Sequence, residues 1–271
     1  MTCRALSAIA LLLVLPAVGL RSKSSGLSVF KEDQLRCERV RSAVHEKEEY
    51  LKSLFARIGL AYPPRQIFIR AFKEEKVLEL WARVSPDREF VLIKTYDICS
   101  LSGGLGPKRR EGDLQVPEGF YVIEGFNPAS IFYLSLGLNY PNASDQVLGD
   151  PHSPGSDIFI HGSCVTIGCL PLTDDKIKEV YLAAVEARAA GQAQIPVHIF
   201  PARLTEANLS RLRDMLRNGR PPVSLPLKDL GRGEDLLSFW RNLKEGYDRF
   251  ERTKRVPAVK VGQATGRYHF L

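Results

Sequence analysis

One stretch of the chain gathers the groups that covalent chemistry needs: Asp157, Phe159 and His161, then Gly162, Ser163, Cys164, Thr166, Ile167, Gly168 and Cys169, ending at Pro171. A thiol becomes a nucleophile when a neighbouring imidazole takes its proton or stabilises the thiolate. In a strand Asp157, Phe159 and His161 share one face, so His161 arrives where the strand gives way to a glycine-containing loop. Gly168 allows a sharp turn and a close substrate approach, and the peptide N–H groups that follow can point at an oxyanion. Three readings stay open on these residues. His161 and Cys169 form a base and a nucleophile. Cys164 and Cys169 form a disulfide, which removes the nucleophile. Or His161, Cys164 and Cys169 hold zinc with His152 or His198, a set whose spacing matches no standard zinc pattern.

Holding such a loop requires a sheet, and the apolar periodicity supplies one. Segments 66–72, 77–84 and 89–97 are rich in Ile, Val, Phe and Leu with short charged turns between them, the pattern of a β-meander. Further strands are predicted at 119–124, 131–138, 157–161 and 197–200. Thr173 can cap a helix that has Asp174 and Asp175 in its first turn, Ile177, Val180, Tyr181 and Val185 on its apolar face and Gly191 at its end. Upstream, Val40, Val44, Leu51, Leu54, Phe55 and Ile58 recur at helical spacing and predict one helix over 33–58. The glycine-rich segment 100–117 reads as a long surface loop carrying Lys108, Arg109 and Arg110. From Ala202 onward the texture is helical. Thr205 opens one helix bearing Leu209, Leu212 and Leu216; beyond a Pro-rich linker at 221–226, Leu236, Trp240, Leu243, Tyr247 and Phe250 form a stripe predicted to pack on the β body. The fold class is α+β: a mainly β domain with a packed helix, plus flanking helices.

The 271 residues are 44% hydrophobic and 25% charged, the composition of a folded protein with a real core, which excludes a disordered or collagen-like chain. Residues 202–271 carry 15 Lys/Arg against 8 Asp/Glu and so account for the whole formal charge of +7. Peripheral contact with an anionic wall or membrane surface would therefore run through this C-terminal extension. Arg4 precedes an apolar run from Ala5 to Leu20 with Ala17 and Gly19 at the spacing a signal peptidase reads, so 1–19 is expected to be a secretory signal peptide rather than a spanning anchor. Its removal takes Cys3 and leaves Cys37, Cys99, Cys164 and Cys169, an even number that permits two disulfides in an oxidising compartment. Cys99, beside Ser100 at a strand end, is expected to be buried rather than reactive.

His161-Gly162 followed by Thr166-Ile167-Gly168-Cys169 resembles the signature of the L,D-transpeptidase (YkuD-like) catalytic domain, in which an upstream His-Gly precedes a Ser/Thr-His-Gly-Cys element. The resemblance extends over 66–201 and takes in Lys94-Thr95-Tyr96, the run from Gly106 to Asp113, Val116-Pro117-Glu118-Gly119-Phe120-Tyr121, and Asn139-Tyr140-Pro141-Asn142. It implies a β-sandwich or barrel with a packed helix, and a division into the signal at 1–19, an N-terminal helical segment at 20–65, the catalytic domain at 66–201 and a basic helical extension at 202–271. Ile167 stands where most members carry a second histidine, seven residues separate His161 from Cys169, and Pro171 replaces an Arg or Asn. These departures resemble the YafK-like Ile-Gly-Cys subgroup.

What the resemblance implies is an exported, peptidoglycan-modifying cysteine acyltransferase that needs no cofactor and no metal. Cys169 attacks a stem-peptide carbonyl to give a thioester, and His161 serves as base and then acid. The Gly162 carbonyl orients the imidazole, and the Gly168 and Cys169 amides form the oxyanion hole. Tyr140, Asn142 and Arg109 are candidate substrate contacts. An amine resolves the thioester in transfer, whereas water does so in hydrolysis of the same linkages or release of a wall-attached protein. The implied partners are peptidoglycan stem peptides, with no nucleic acid, in the periplasm or cell wall. A non-catalytic wall-binding protein with paired cysteines is the competing class.

Overall fold

The computed structural model describes residues 24–217 and 236–271, so the predicted signal segment and the Pro-rich linker lie outside the described residues. The single helix expected over 33–58 is two helices, α1 (Ser24–Arg36) and α2 (Glu38–Arg57). Cys37 between them is extended, and its thiol donates to the Pro128 carbonyl at 3.1 Å. The helical pattern is thus broken by a partner distant in sequence that periodicity does not reveal.

The meander forms as β1 (Gln66–Phe72), β2 (Val77–Arg83) and β3 (Val91–Asp97). It is followed by β4 (Gly119–Asn127), β5 (Ser135–Leu138), a short helix α3 (Ala143–Leu148), β6 (Phe159–His161), β7 (Leu170–Pro171), α4 (Asp174–Ala189) and β8 (Ile195–Phe200). These strands make one mixed sheet in the order β3-β2-β1-β8-β4-β5-β6-β7. The β1–β8 and β6–β7 pairs are parallel and the others antiparallel. The sheet curls into a half-barrel: just past β3, the Cys99 N–H donates to the Pro171 carbonyl of β7 at 3.1 Å, so the two outermost strands meet at one corner.

Both faces of the sheet are covered, which is why β1 lacks polar alternation. Ile67, Ile69 and Ala71 join a core that includes Val40, Leu51 and Phe55 of α2 and Ile177, Val180 and Ala184 of α4. The Thr173 side chain accepts from the Lys176 N–H and starts α4 as expected. On the opposite face Phe68 and Phe72 meet the C-terminal segment, which comprises α5 (Glu206–Arg217), α6 (Leu236–Thr253) and a hairpin of β9 (Val259–Val261) and β10 (Tyr268–Phe270). The stripe Leu236, Trp240, Leu243, Tyr247 and Phe250 is buried there against Phe72, Phe120, Phe200 and Trp81. Gly246 makes that approach possible, since a Cβ there would stand 2.5 Å from Phe270 and 2.6 Å from Phe120.

The segment 100–117 is not the solvated surface loop its composition suggested. Lys108 is 4% and Arg109 2% exposed. One Asp113 oxygen accepts from Lys108 Nζ at 2.7 Å and the Gln115 N–H at 3.0 Å, and the other accepts the Arg109 and Arg110 N–H groups at 2.8 and 3.0 Å. A second buried carboxylate, Glu118, accepts the Gly106 N–H at 2.6 Å, lies 3.0 Å from Lys73 Nζ, and accepts Trp240 Nε1 of α6 at 2.8 Å. Lys73 also donates to the carbonyls of Gly106 and Val116. Charges this deep persist because each is paired and hydrogen-bonded.

Candidate active site

The short pair β6–β7 builds the site. Ile160 lies opposite Leu170 and His161 opposite Pro171, so the intervening loop folds back along β6 and brings Cys169 level with Phe159. The Phe159 N–H donates to Cys169 Sγ at 3.4 Å, as that register requires. Strand alternation turns Ile160 and Leu170 into the core and places His161 and Cys169 together on the other face. In this state the thiol donates to the Asp157 carbonyl at 3.6 Å, and no hydrogen bond joins it to His161 among the described residues. The two groups share a face of adjacent strands, a separation that substrate binding can tighten.

His161 is 1% and Cys169 9% exposed. Burial holds the imidazole below its ordinary value of 6.5, against the opposing pull of the Gly162 carbonyl. Burial likewise raises the thiol above its ordinary 9.0; the Phe159 N–H opposes this, Asp157 adds to it and Lys108 opposes it. The resting pair is therefore a neutral imidazole and a neutral thiol. His161 Nδ1 lies against the Gly162 carbonyl oxygen, so Nδ1 carries the proton and Nε2 keeps the basic lone pair. The Phe132 ring, 4.6 Å away centre to centre, holds the imidazole plane.

The loop between the two residues is restrained at several points. The Ser163 N–H donates to Asp174 at 2.7 Å, and Cys164 is bonded to Cys99. Thr166 Oγ1 accepts from the Gly168 N–H at 3.2 Å and the Cys169 N–H at 2.8 Å, and donates to the Cys169 carbonyl at 2.9 Å. Both amides expected to form an oxyanion hole thus converge on one hydroxyl oxygen. Gly168 has φ +138, a value that suits glycine, and a Cβ would come within 3.1 Å of the Gln115 carbonyl.

The Cys99–Cys164 bridge is a pairing that the sequence did not reveal, and it settles one open reading of the cysteines. Cys99 is covalently paired, and the Cys164–Cys169 disulfide does not form; Cys169 and Cys37 are free. The pairing was illegible because the partners are 65 residues apart in sequence and meet only when the sheet curls. The zinc set does not assemble either. His198 is enclosed by Phe68 and Phe120 on the α6 side of the sheet, and no group of three His, Cys, Asp or Glu side chains gathers among the described residues.

The three candidate substrate contacts are built into the fold. Tyr140 donates its hydroxyl to the Pro154 carbonyl at 2.8 Å. Asn142 caps α3 in a capping box with Asp145 and donates to Phe120 O and Tyr268 Oη. Arg109 lies 3.4 Å from Asp145 and stacks its guanidinium on Phe239. Sequence reasoning also passed over Phe132, Asp174 and the clamping role of Thr166; the Asp174 position is marked only by its place in the first turn of α4.

A family model described as the L,D-transpeptidase catalytic domain (YkuD) matches residues 69–199. YafK of Escherichia coli (strain K12) is 36% identical over 204 residues, covering 74% of this chain and 72% of YafK, and YafK of Escherichia coli O157:H7 gives the same figures. The helical cell shape determining protein Pgp2 of Campylobacter jejuni aligns with a TM-score of 0.41 at 18% identity, over 79% of this chain and 80% of Pgp2. Bd1075 of Bdellovibrio bacteriovorus aligns with a TM-score of 0.37 at 22% identity, over 58% of each chain. On the family model and on 36% identity to YafK over 72% of its length, the chain belongs to the L,D-transpeptidase (YkuD) family.

Proposed function

We propose that this protein is an exported cysteine acyltransferase that remodels peptidoglycan stem peptides through a Cys169 thioester. The observation that carries the reading is the contact between His161 Nδ1 and the Gly162 carbonyl, which leaves Nε2 as the base for a thiol on the same face. His161 Nε2 takes the thiol proton as Sγ bonds to the donor carbonyl carbon, and the carbonyl electrons move to oxygen. That oxyanion competes with the Thr166 hydroxyl for the Gly168 and Cys169 amides. Collapse expels the amine, which takes the proton from His161 and leaves the thioester. An acceptor amine then completes transfer. The competing reading is a wall-binding protein with paired cysteines; the pair that forms, Cys99–Cys164, leaves the Cys169 thiol free, which supports the enzyme.

In this reading 1–19 is the signal peptide that delivers the enzyme to the periplasm or wall, and 66–201 carries the chemistry. Among the described residues no helix is long and apolar enough to cross a membrane. The test is incubation of the purified protein with muropeptides and mass analysis of the products. A new crosslink or an exchanged terminal residue establishes transfer, and addition of water establishes hydrolysis instead. Cys169→Ala must abolish either product; persistence of product in that variant overturns the assignment.

A further inference from the structure

We propose that the Cys99–Cys164 disulfide is a positioning element of the active site: it ties the loop carrying Cys169 to the end of β3, and its reduction disarms an enzyme whose nucleophile is itself a free thiol. The proposal rests on the acyltransferase reading above. The middle of the 162–168 loop has no apolar anchorage, since Val165 and Ile167 are 57% and 78% exposed. Ser163 is held at φ +64, a left-handed conformation that a non-glycine residue keeps only when its surroundings impose it. The next residue is Cys164. Its partner stands on firm ground: the Cys99 N–H donates to the Pro171 carbonyl of β7, and the Ile98 N–H donates to the Lys76 carbonyl in the β1–β2 turn. The bridge thus fixes the loop midway between the base and the nucleophile, against the strand that follows the nucleophile. The Thr166 hydroxyl that gathers the Gly168 and Cys169 amides lies two residues beyond the clasp.

Opening the bridge leaves the Asp174 and Thr166 contacts to hold a solvent-exposed loop. Displacement of reacting groups by about 1 Å costs about 10²-fold in rate. The effect falls on turnover more than on binding.

The experiment uses the full chain. Dithiothreitol gives two electrons and two protons to the bridge and closes to its own cyclic disulfide, leaving thiols at Cys99 and Cys164. Turnover of muropeptides is expected to fall tenfold or more with KM within twofold. It should return when oxidised glutathione, itself reduced to two thiols, re-forms the bridge; mass mapping must show no glutathione on Cys169. Alkylation of Cys169 by iodoacetamide, followed on its own peptide, should accelerate several-fold as turnover falls. The Cys99→Ala/Cys164→Ala double variant should reproduce both changes without reductant, with hydrogen exchange raised around 162–171 and unchanged elsewhere. Turnover within twofold and an unchanged alkylation rate overturn the proposal. So does general loss of exchange protection, which would make the bridge a support of the whole fold. If the oxidised protein turns over no muropeptide, the functional reading fails while the alkylation comparison still decides the positioning claim.

Discussion

Replacing Trp240 by Phe deletes one N–H and part of one ring at a point where the C-terminal helix meets the end of the 100–117 segment. The indole nitrogen donates to Glu118, a carboxylate with 0% exposure whose other oxygen serves Gly106 and Lys73. Without the indole N–H, that buried oxygen loses its donor. Removing a partner from a buried charged acceptor costs about 2–3 kcal/mol, and the smaller ring adds about 1 kcal/mol on the scale of core truncations. The expected loss is about 3 kcal/mol, or about 6–12 °C in Tm for a chain of this size. Trp240 is one of two tryptophans, so urea unfolding should be followed by far-UV circular dichroism rather than fluorescence. Leu243→Val, in the same buried stripe but without a hydrogen bond, is the control and should cost about 1 kcal/mol. If Trp240→Phe costs no more than Leu243→Val at equal m-value, the bond to Glu118 contributes nothing and the reasoning fails.

Because burial lowers the His161 imidazole below its ordinary 6.5 and raises the Cys169 thiol above its ordinary 9.0, the acid limb of kcat/KM should fall below pH 6.5 with no thiol limb below pH 9; an acid limb above pH 7 would refute the lowered imidazole. His198, buried among aromatic rings and near Arg70, titrates well below its ordinary value. The unfolded chain therefore binds its proton first, and wild type should lose up to about 1.4 kcal/mol per pH unit relative to His198→Leu as pH falls below 6.5, read as urea midpoints at pH 7 and 5. Asn142→Ala removes a helix cap and two further hydrogen bonds, so it should lower stability by about 2 kcal/mol while leaving KM unchanged. A raised KM in a stably folded Asn142→Ala protein would show that the residue is a substrate contact.

Local signals in the sequence were read well where one segment decides its own structure. The meander, the Thr173 cap and the α6 stripe each carry a period or a cap that needs no distant partner. His161 and Cys169, the proposed base and nucleophile, stand out for the same reason, since both sit on one strand-loop-strand unit. What stayed hidden depends on partners far along the chain. Cys37 breaks a helix for the Pro128 carbonyl, Cys99 finds Cys164 only after the sheet curls, and Arg109 is drawn inward beside Asp145. A charge cluster beside glycines looks the same in sequence whether water or a buried carboxylate answers it. Thr166 is a third case: its hydroxyl lies within the motif, yet only the turn geometry aims it at two amides.

The strand order also sets a timetable for folding. Inside the sheet β1 pairs in parallel with β8, which joins Ile69 to Val197, so the first strand made waits for more than a hundred residues before that neighbour exists. Its other face waits longer, because Arg70 reaches Glu251, 181 positions on. Contacts this distant in sequence carry a large loop-closure cost and slow the search. A growing chain would therefore hold its helices and the β1–β2–β3 meander as local, unanchored pieces until the C-terminal hairpin arrives. Folding of this protein is an event of the finished polypeptide, and pulse-labelling of nascent chains of increasing length should show protection of β1 appearing in one late step rather than by degrees.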